Sequence, residues 1–114
     1  MGRLTTHVLD TTRGAPAAGI RIELFRDGAA APLSRANANA EGRTEAPLLE
    51  GDAFLPGSYR LVFHVGEYFR GLGHADAGRF LEEVAVAFVV GDQEARYHVP
   101  LLVSPWSYTT YRGS

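Results

Sequence analysis

Several residue types and patterns are missing from this 114-residue chain, and each absence removes a class of protein. The chain has no cysteine, which excludes disulfides and zinc sites made of thiolates. It has 11 basic and 13 acidic residues, and a net charge of -2 gives no electrostatic reason to expect nucleic acid as a partner. No apolar run approaches the ~20 residues of a membrane-spanning helix. Because no apolar signal segment opens the chain, we expect a cytoplasmic protein with no membrane partner.

What the sequence does contain is a series of short β-like runs separated by turn residues. Residues 4–10 and 59–65 alternate between two faces, as strands with one buried face do. Long helical periodicity is absent, and only residues 67–77 have room for a helix, which Gly71 and Gly73 keep short. These patterns predict an all-β sandwich. The length is that of one domain, so we expect a single domain over residues 1–114.

Two late runs, residues 84–90 and 99–103, are apolar on both faces. A lone sandwich leaves one face of each sheet in water, so these runs predict that their outer faces are covered. Because so little helix is available, we expect the cover to be another subunit. Pro100 interrupts the second run; it has no N–H to donate, which indicates an edge position or a bulge.

Two of the four histidines interrupt strand-like stretches: His7 in the first strand and His98 in the strand before the C-terminal tail. The plain interpretation of each is a partly buried histidine with a satisfied hydrogen bond. A function is favoured because there are two such histidines, because Arg43 follows a glycine turn, and because the tail adds Tyr111, Arg112 and Ser114. No histidine pair has the spacing of a zinc-binding helix, so we predict no metal site, although one built from scattered histidines stays open.

Three segments of the chain resemble the 5-hydroxyisourate hydrolases, enzymes related to transthyretin. They are the opening Leu4-Thr5-Thr6-His7-Val8-Leu9-Asp10-Thr11, the turn Asn39-Ala40-Glu41-Gly42-Arg43, and the strand His98-Val99-Pro100-Leu101-Leu102 with the ending Tyr111-Arg112-Gly113-Ser114. The segments occur in the family's order and span nearly the whole chain.

The resemblance implies both a fold and an activity. The fold is a transthyretin-like β-sandwich of two four-stranded sheets with one short helix, assembled as a homotetramer, a dimer of dimers with its sites where the dimers meet. The activity is hydrolysis of 5-hydroxyisourate, the unstable product of urate oxidation, in purine catabolism. Its six-membered ring opens to 2-oxo-4-hydroxy-4-carboxy-5-ureidoimidazoline, and no metal or cofactor takes part.

The resemblance also implies which residues act. The catalytic set is His7, Arg43, His98 and Ser114; the substrate-binding set is His7, Arg43, Tyr111, Arg112 and Gly113. Hydrolysis of a cyclic amide requires a water to lose a proton and a nitrogen to gain one, which histidine does near neutral pH. A guanidinium stabilises the negative charge that develops on the attacked carbonyl. We favour His98 as the base and His7 as the substrate positioner, and the assignment stays open.

Two other functions fit the same fold. Transthyretin itself is a carrier that binds a hormone without hydrolysing it, so a small-molecule binding protein is the alternative. A sandwich that only mediates assembly is the third interpretation. A carrier has no need of two histidines, an arginine and the terminal tetrapeptide, which favours the enzyme.

Overall fold

The structure is a computed structural model that describes residues 1–113, which form two β-sheets packed face to face and one α-helix. The strands are β1 (Arg3–Asp10), β2 (Ala15–Pro16), β3 (Arg21–Arg26), β4 (Ser34–Asn37), β5 (Leu49–Glu50), β6 (Gly57–Phe63), β7 (Val84–Val90), β8 (Arg96–Val103) and β9 (Tyr108–Thr110). A 3-10 turn covers Gly51–Ala53, and the helix α1 covers Val65–Gly71. No helix among these 113 residues is long and apolar enough to cross a membrane.

The predicted sandwich of two sheets is confirmed, with one more strand than expected. One sheet has the order β4-β3-β6-β7; the other has the order β2-β1-β8-β9, with β5 also paired to β1. β1 and β8 run parallel, and every other pair is antiparallel. The extra strand arises because two short segments share one edge of β1: β5 pairs with its start and β2 with its end.

Alternation along β1 decides which side chains enter the core. Leu4 and Val8 are fully buried between the sheets, whereas Thr5 and His7 are half-buried on the outward face. The centre of the core is aromatic, with Tyr59, Phe54, Phe63 and Phe69 fully buried. Each such side chain contributes about 1.5–3 kcal/mol by leaving water. The core thus holds β1 rigidly and presents its odd-numbered residues outward.

The helix begins two residues earlier than predicted, at Val65, and ends at Gly71. Burial explains the early start, because Val65, Tyr68 and Phe69 all pack into the core. Gly73 has a φ of 71°, a left-handed conformation that closes the last turn after the helix. The prediction was therefore right about the helix and about its end at Gly71, and wrong about its start.

The outer face of β7 is not covered in the single chain. β7 is the outermost strand of its sheet, and Val89 is 68% exposed. Of the tail's large aromatic side chains, Trp106 is 52% exposed and Tyr111 58%. The covering subunit expected from the sequence stays a prediction.

Pro100 lies in an inner strand, and the register between β8 and the tail is the same on both sides of it, so neither the predicted edge position nor the predicted bulge is found. β8 runs between β1 and β9, but its pairing with β9 extends only as far as the Leu101–Thr110 pair. Because proline has no N–H, the ladder is interrupted there and resumes as a single bridge between His98 and Gly113. This interruption brings the tail back onto the outward face at His98.

Candidate active site

The parallel pairing of β1 with β8 brings both predicted histidines to one outward face. Thr5 lies opposite His98, and His7 lies opposite Pro100. Residues directly opposite each other in a pleated sheet point to the same side. His7 and His98 are therefore neighbours on this face, one strand and two residues apart, although 90 residues of sequence separate them.

A tight turn brings Arg43 to the same place. The Asn39 side-chain oxygen accepts hydrogen bonds from the backbone N–H of Glu41 at 2.9 Å and of Arg43 at 3.1 Å. Gly42 has a φ of 78°, and a Cβ atom there would lie 2.4 Å from the carbonyl oxygen of Val8, so only glycine fits. As a result, Arg43 forms a backbone bridge with His7.

The ring of His7 is held by this turn. Its Nε2 lies 2.8 Å from the carbonyl oxygen of Glu41. A carbonyl oxygen can only accept, so Nε2 carries the proton and donates it. In the neutral ring, Nδ1 is then the nitrogen with a lone pair.

The ring of His98 is fixed on two sides. Its Nδ1 lies 2.9 Å from the hydroxyl oxygen of Thr5. The N–H of Gly113 donates to the carbonyl oxygen of His98 at 2.7 Å, and a Cβ atom on Gly113 would lie 2.7 Å from Cδ2 of the ring. With Nδ1 occupied by Thr5, Nε2 is the nitrogen left for a ligand or a water molecule.

Electrostatics keep His98 in its neutral form. Burial lowers the pKa of His98 below its usual value, and the charge of Arg43 and the electrostatic effect of the neighbouring His7 lower the pKa further. An unperturbed histidine has a pKa of about 6.5, so His98 is a neutral proton acceptor at pH 7. Neutral imidazole is the form that a general base requires.

A cavity of about 490 Å³ lies beside His98 and Arg43. This volume is in the range of small-molecule sites. Six further polar residues line it and were not predicted: Arg3, Thr5, Thr6, Thr44, Glu45 and Arg96. The sequence could have indicated two of them. Arg3 precedes Thr5 by two residues, and Arg96 precedes His98 by two residues, so the members of each pair lie on the same face of their strand.

The other tail residues lie elsewhere in the chain. Tyr111 and Arg112 line a second groove of about 250 Å³, beside Phe88 of β7. The guanidinium of Arg112 lies 4.1 Å from the centre of the Tyr97 ring and donates to the carbonyl oxygen of Arg96 at 3.2 Å. Neither residue reaches the cavity beside His98.

The predicted site residues thus divide into three groups. His7, Arg43, His98 and Gly113 lie together, although only Arg43 and His98 of these line the cavity. Tyr111 and Arg112 lie in the second groove, and Ser114 falls outside the described residues. The roles assigned to all of them stay predictions. Within residues 1–113, no three His, Cys, Asp or Glu side chains are grouped so that they could hold a metal ion.

The two facing sheets, with histidines and an arginine gathered on one outer face, define a transthyretin-like sandwich that carries a polar site. A model of the HIUase/Transthyretin family matches residues 4–113, and the chain belongs to that family. The 5-hydroxyisourate hydrolase of Deinococcus radiodurans is 51% identical over 113 residues, which are 97% of this chain and 95% of that protein.

Two solved structures have the same fold. A 5-hydroxyisourate hydrolase of Klebsiella pneumoniae matches with a TM-score of 0.85 and 32% identity over 100% of both chains. An (S)-allantoin synthase matches with a TM-score of 0.92 and 44% identity over 99% of this chain. The present chain spans only 44% of that synthase.

Proposed function

We propose that this chain is an enzyme that hydrolyses 5-hydroxyisourate in the breakdown of urate. The product is 2-oxo-4-hydroxy-4-carboxy-5-ureidoimidazoline, formed by opening the six-membered ring. One observation carries the proposal: a neutral His98 and the cationic Arg43 line the same cavity. The Deinococcus and Klebsiella relatives described above, both named for this activity, support it.

The mechanism that we propose begins with proton transfer to His98. Nε2 of His98 takes a proton from water, and the resulting hydroxide adds to the ring carbonyl. Arg43 donates to the carbonyl oxygen as it becomes negative, which stabilises the tetrahedral intermediate. The C–N bond then breaks, the nitrogen receives the proton held by His98, and the ring opens to a carboxylic acid, which loses its proton to water. His7, fixed by the Glu41 carbonyl, orients the substrate.

The alternative function, a carrier without catalysis, explains less of this site. A carrier needs no proton acceptor, whereas burial and the charge of Arg43 keep His98 in the neutral form that can accept a proton near pH 7. The second groove, which is lined mainly by apolar groups such as Val86 and Phe88, would suit an apolar ligand. Binding there without turnover at His98 would favour the carrier.

We propose further that four chains assemble as a dimer of dimers, with each site at the junction of two dimers. Exposed apolar side chains support this, among them Val89 and Trp106. So does the position of Tyr111 and Arg112, which in one chain lie away from the cavity of that chain. Light scattering and activity on serial dilution test the assembly: a folded monomer with full activity would contradict it.

The decay of the ultraviolet absorbance of freshly made 5-hydroxyisourate tests the proposed activity. Urate and urate oxidase generate the substrate, and the protein is added or withheld. We expect H7A, R43A and H98A each to lose about 2–4 kcal/mol of barrier lowering, roughly a 30- to 1000-fold lower rate. H74A, in a loop after α1, is the matched control and should keep the wild-type rate. Wild-type rates in all three site variants would refute the proposal.

Catalysis without metal or cofactor, and a cytoplasmic location, stay predictions. The first is tested by dialysing the protein against a strong chelator before the same assay. We expect full activity afterwards, since the proposed steps use only side chains of the chain itself. Activity that is lost and returns with an added divalent metal ion would contradict the prediction.

A further inference from the structure

Arg3 and Arg96 stand directly opposite each other at the start of the parallel strands β1 and β8. Both side chains are exposed, and both line the cavity that contains His98. Like charges directly opposite each other destabilise a sheet. No carboxylate of residues 1–113 forms an ion pair with either guanidinium. Glu50 of β5 lies opposite Arg3 on the other side of β1, but without an ion pair both guanidiniums stay available to a ligand.

The charge of the cavity as a whole is positive. Its lining includes three guanidiniums, of Arg3, Arg43 and Arg96, and one carboxylate, of Glu45. A concave site lined by one sign of charge concentrates the field and attracts ligands of the opposite sign. The bound molecule that this lining favours is an anion.

The spacing indicates how such an anion would lie. Arg96 precedes His98 by two residues on one strand, and Arg3 precedes Thr5 by two residues on the next. Two residues of a strand span roughly 7 Å. The distance from a group held between the two arginines to the imidazole of His98 is thus about the length of one fused ring system. A guanidinium also presents a planar fork of donors that matches paired oxygens.

We propose that Arg3 and Arg96 form an anion subsite for planar oxopurine anions and their close cyclic relatives. The pair holds a negatively charged edge of the ring at the cavity mouth, while the opposite carbonyl reaches His98. This deepens the proposed function and rests on it for the reaction, but binding to the subsite is a separate property. The subsite adds affinity and selects the charge of the ligand, and the chemical step stays with His98.

The direct test uses urate as a stable oxopurine anion and measures its binding by calorimetry. The proteins are wild type, R3Q, R96Q, the double variant R3Q/R96Q, and R79Q, which removes one exposed loop arginine as the matched control. We expect the double variant to bind at least about tenfold more weakly, as loss of charge-assisted hydrogen bonds predicts, and R79Q to bind as wild type does. Added salt should weaken wild-type binding more than that of the double variant. Equal affinity in wild type and the double variant, or no urate binding to wild type, would overturn the subsite.

Turnover of 5-hydroxyisourate by the same proteins separates this proposal from the proposed function. We expect KM to rise about tenfold in R3Q/R96Q while kcat stays within about threefold, because the pair acts on binding. A fall in kcat with an unchanged KM would overturn the subsite. If wild type does not accelerate the decay but urate binding still depends on the two arginines, the hydrolase proposal fails and the subsite stands.

Discussion

The hydroxyl oxygen of Thr5 lies 2.9 Å from Nδ1 of His98, across the parallel pair of strands β1 and β8. The hydrogen bond that one ring nitrogen makes decides how the other nitrogen is presented. A neutral ring that accepts a proton at Nε2 carries its own proton on Nδ1, where the Thr5 oxygen accepts it. Thr5 is therefore a positioning residue for the proposed base.

Replacing Thr5 by valine keeps the shape of the side chain and removes the hydroxyl. We expect T5V to lower kcat by about tenfold with little change in KM, because Nδ1 of His98 loses its partner and the ring loses its fixed orientation. T5S, which keeps the hydroxyl, should restore most of the rate. T11V is the control. The hydroxyl of Thr11, next to the end of β1, also donates a hydrogen bond to β8, to the carbonyl oxygen of Val103. Equal losses in T5V and T11V, or full activity in T5V, would contradict this role.

The lowered pKa of His98 predicts the pH dependence of activity. Burial comes first among its causes, followed by the charge of Arg43 and the electrostatic effect of His7. The base form is lost as the pH falls through this pKa, so kcat/KM should stay high down to below about pH 6.5 and then decline. An NMR titration of the His98 ring checks the cause: in R43Q its pKa should rise towards the ordinary value. A wild-type His98 that titrates at or above 6.5 would contradict the electrostatic argument.

Gly113 is the position at which the tail touches the His98 ring. A Cβ atom there would lie 2.7 Å from Cδ2, so G113A must displace the imidazole. We expect roughly a 10- to 100-fold loss of kcat, because small misplacements of a catalytic group are costly. G91A is the matched control, since a Cβ atom at Gly91 meets nothing within 4 Å. Ring signals of His98 that do not shift in the NMR spectrum of G113A would contradict the contact.

The hydrogen bonds of Asp10 indicate that part of the free energy of unfolding depends on pH. Burial alone would raise the pKa of Asp10, but hydrogen bonds from Thr12, Tyr68 and Arg13 outweigh burial and leave the pKa below its usual value. We expect D10N to lower the free energy of unfolding by about 2–4 kcal/mol at pH 7, since it disrupts these bonds within the fold. The stabilisation is present above the unfolded-state pKa of about 3.9 and is lost as the pH falls through the lowered folded-state value. Urea unfolding should thus show that the difference in free energy of unfolding between wild type and D10N becomes smaller in acid. A difference that does not depend on pH would contradict this role of Asp10.

Much of the fold was predictable because local patterns determine it. The alternation of Leu4 with its neighbours in β1 predicts a strand with one buried face, and Gly57 marks the start of β6. The start of α1 was not predictable, because Val65 becomes helical when it packs into a core that distant residues form. Local propensity carries no information about that packing.

The site was predictable as a list of residue types and not as an arrangement. The resemblance named His7, Arg43 and His98, and the structure brings them together. The roles of Thr5 and Arg3 depend on the register between β1 and β8, which distant core contacts set and no local pattern states. The sequence therefore indicated the acting groups but not those that orient or surround them.

The central claim is that His98 and Arg43 act together on one bound ring. A double-mutant cycle on kcat/KM for 5-hydroxyisourate tests it most directly, with H98A, R43A and H98A/R43A compared with wild type. Groups that serve one transition state are not additive, so the double variant should lose little more than the worse single variant. Losses that multiply in full would mean that the two residues act independently, and that result would contradict the account.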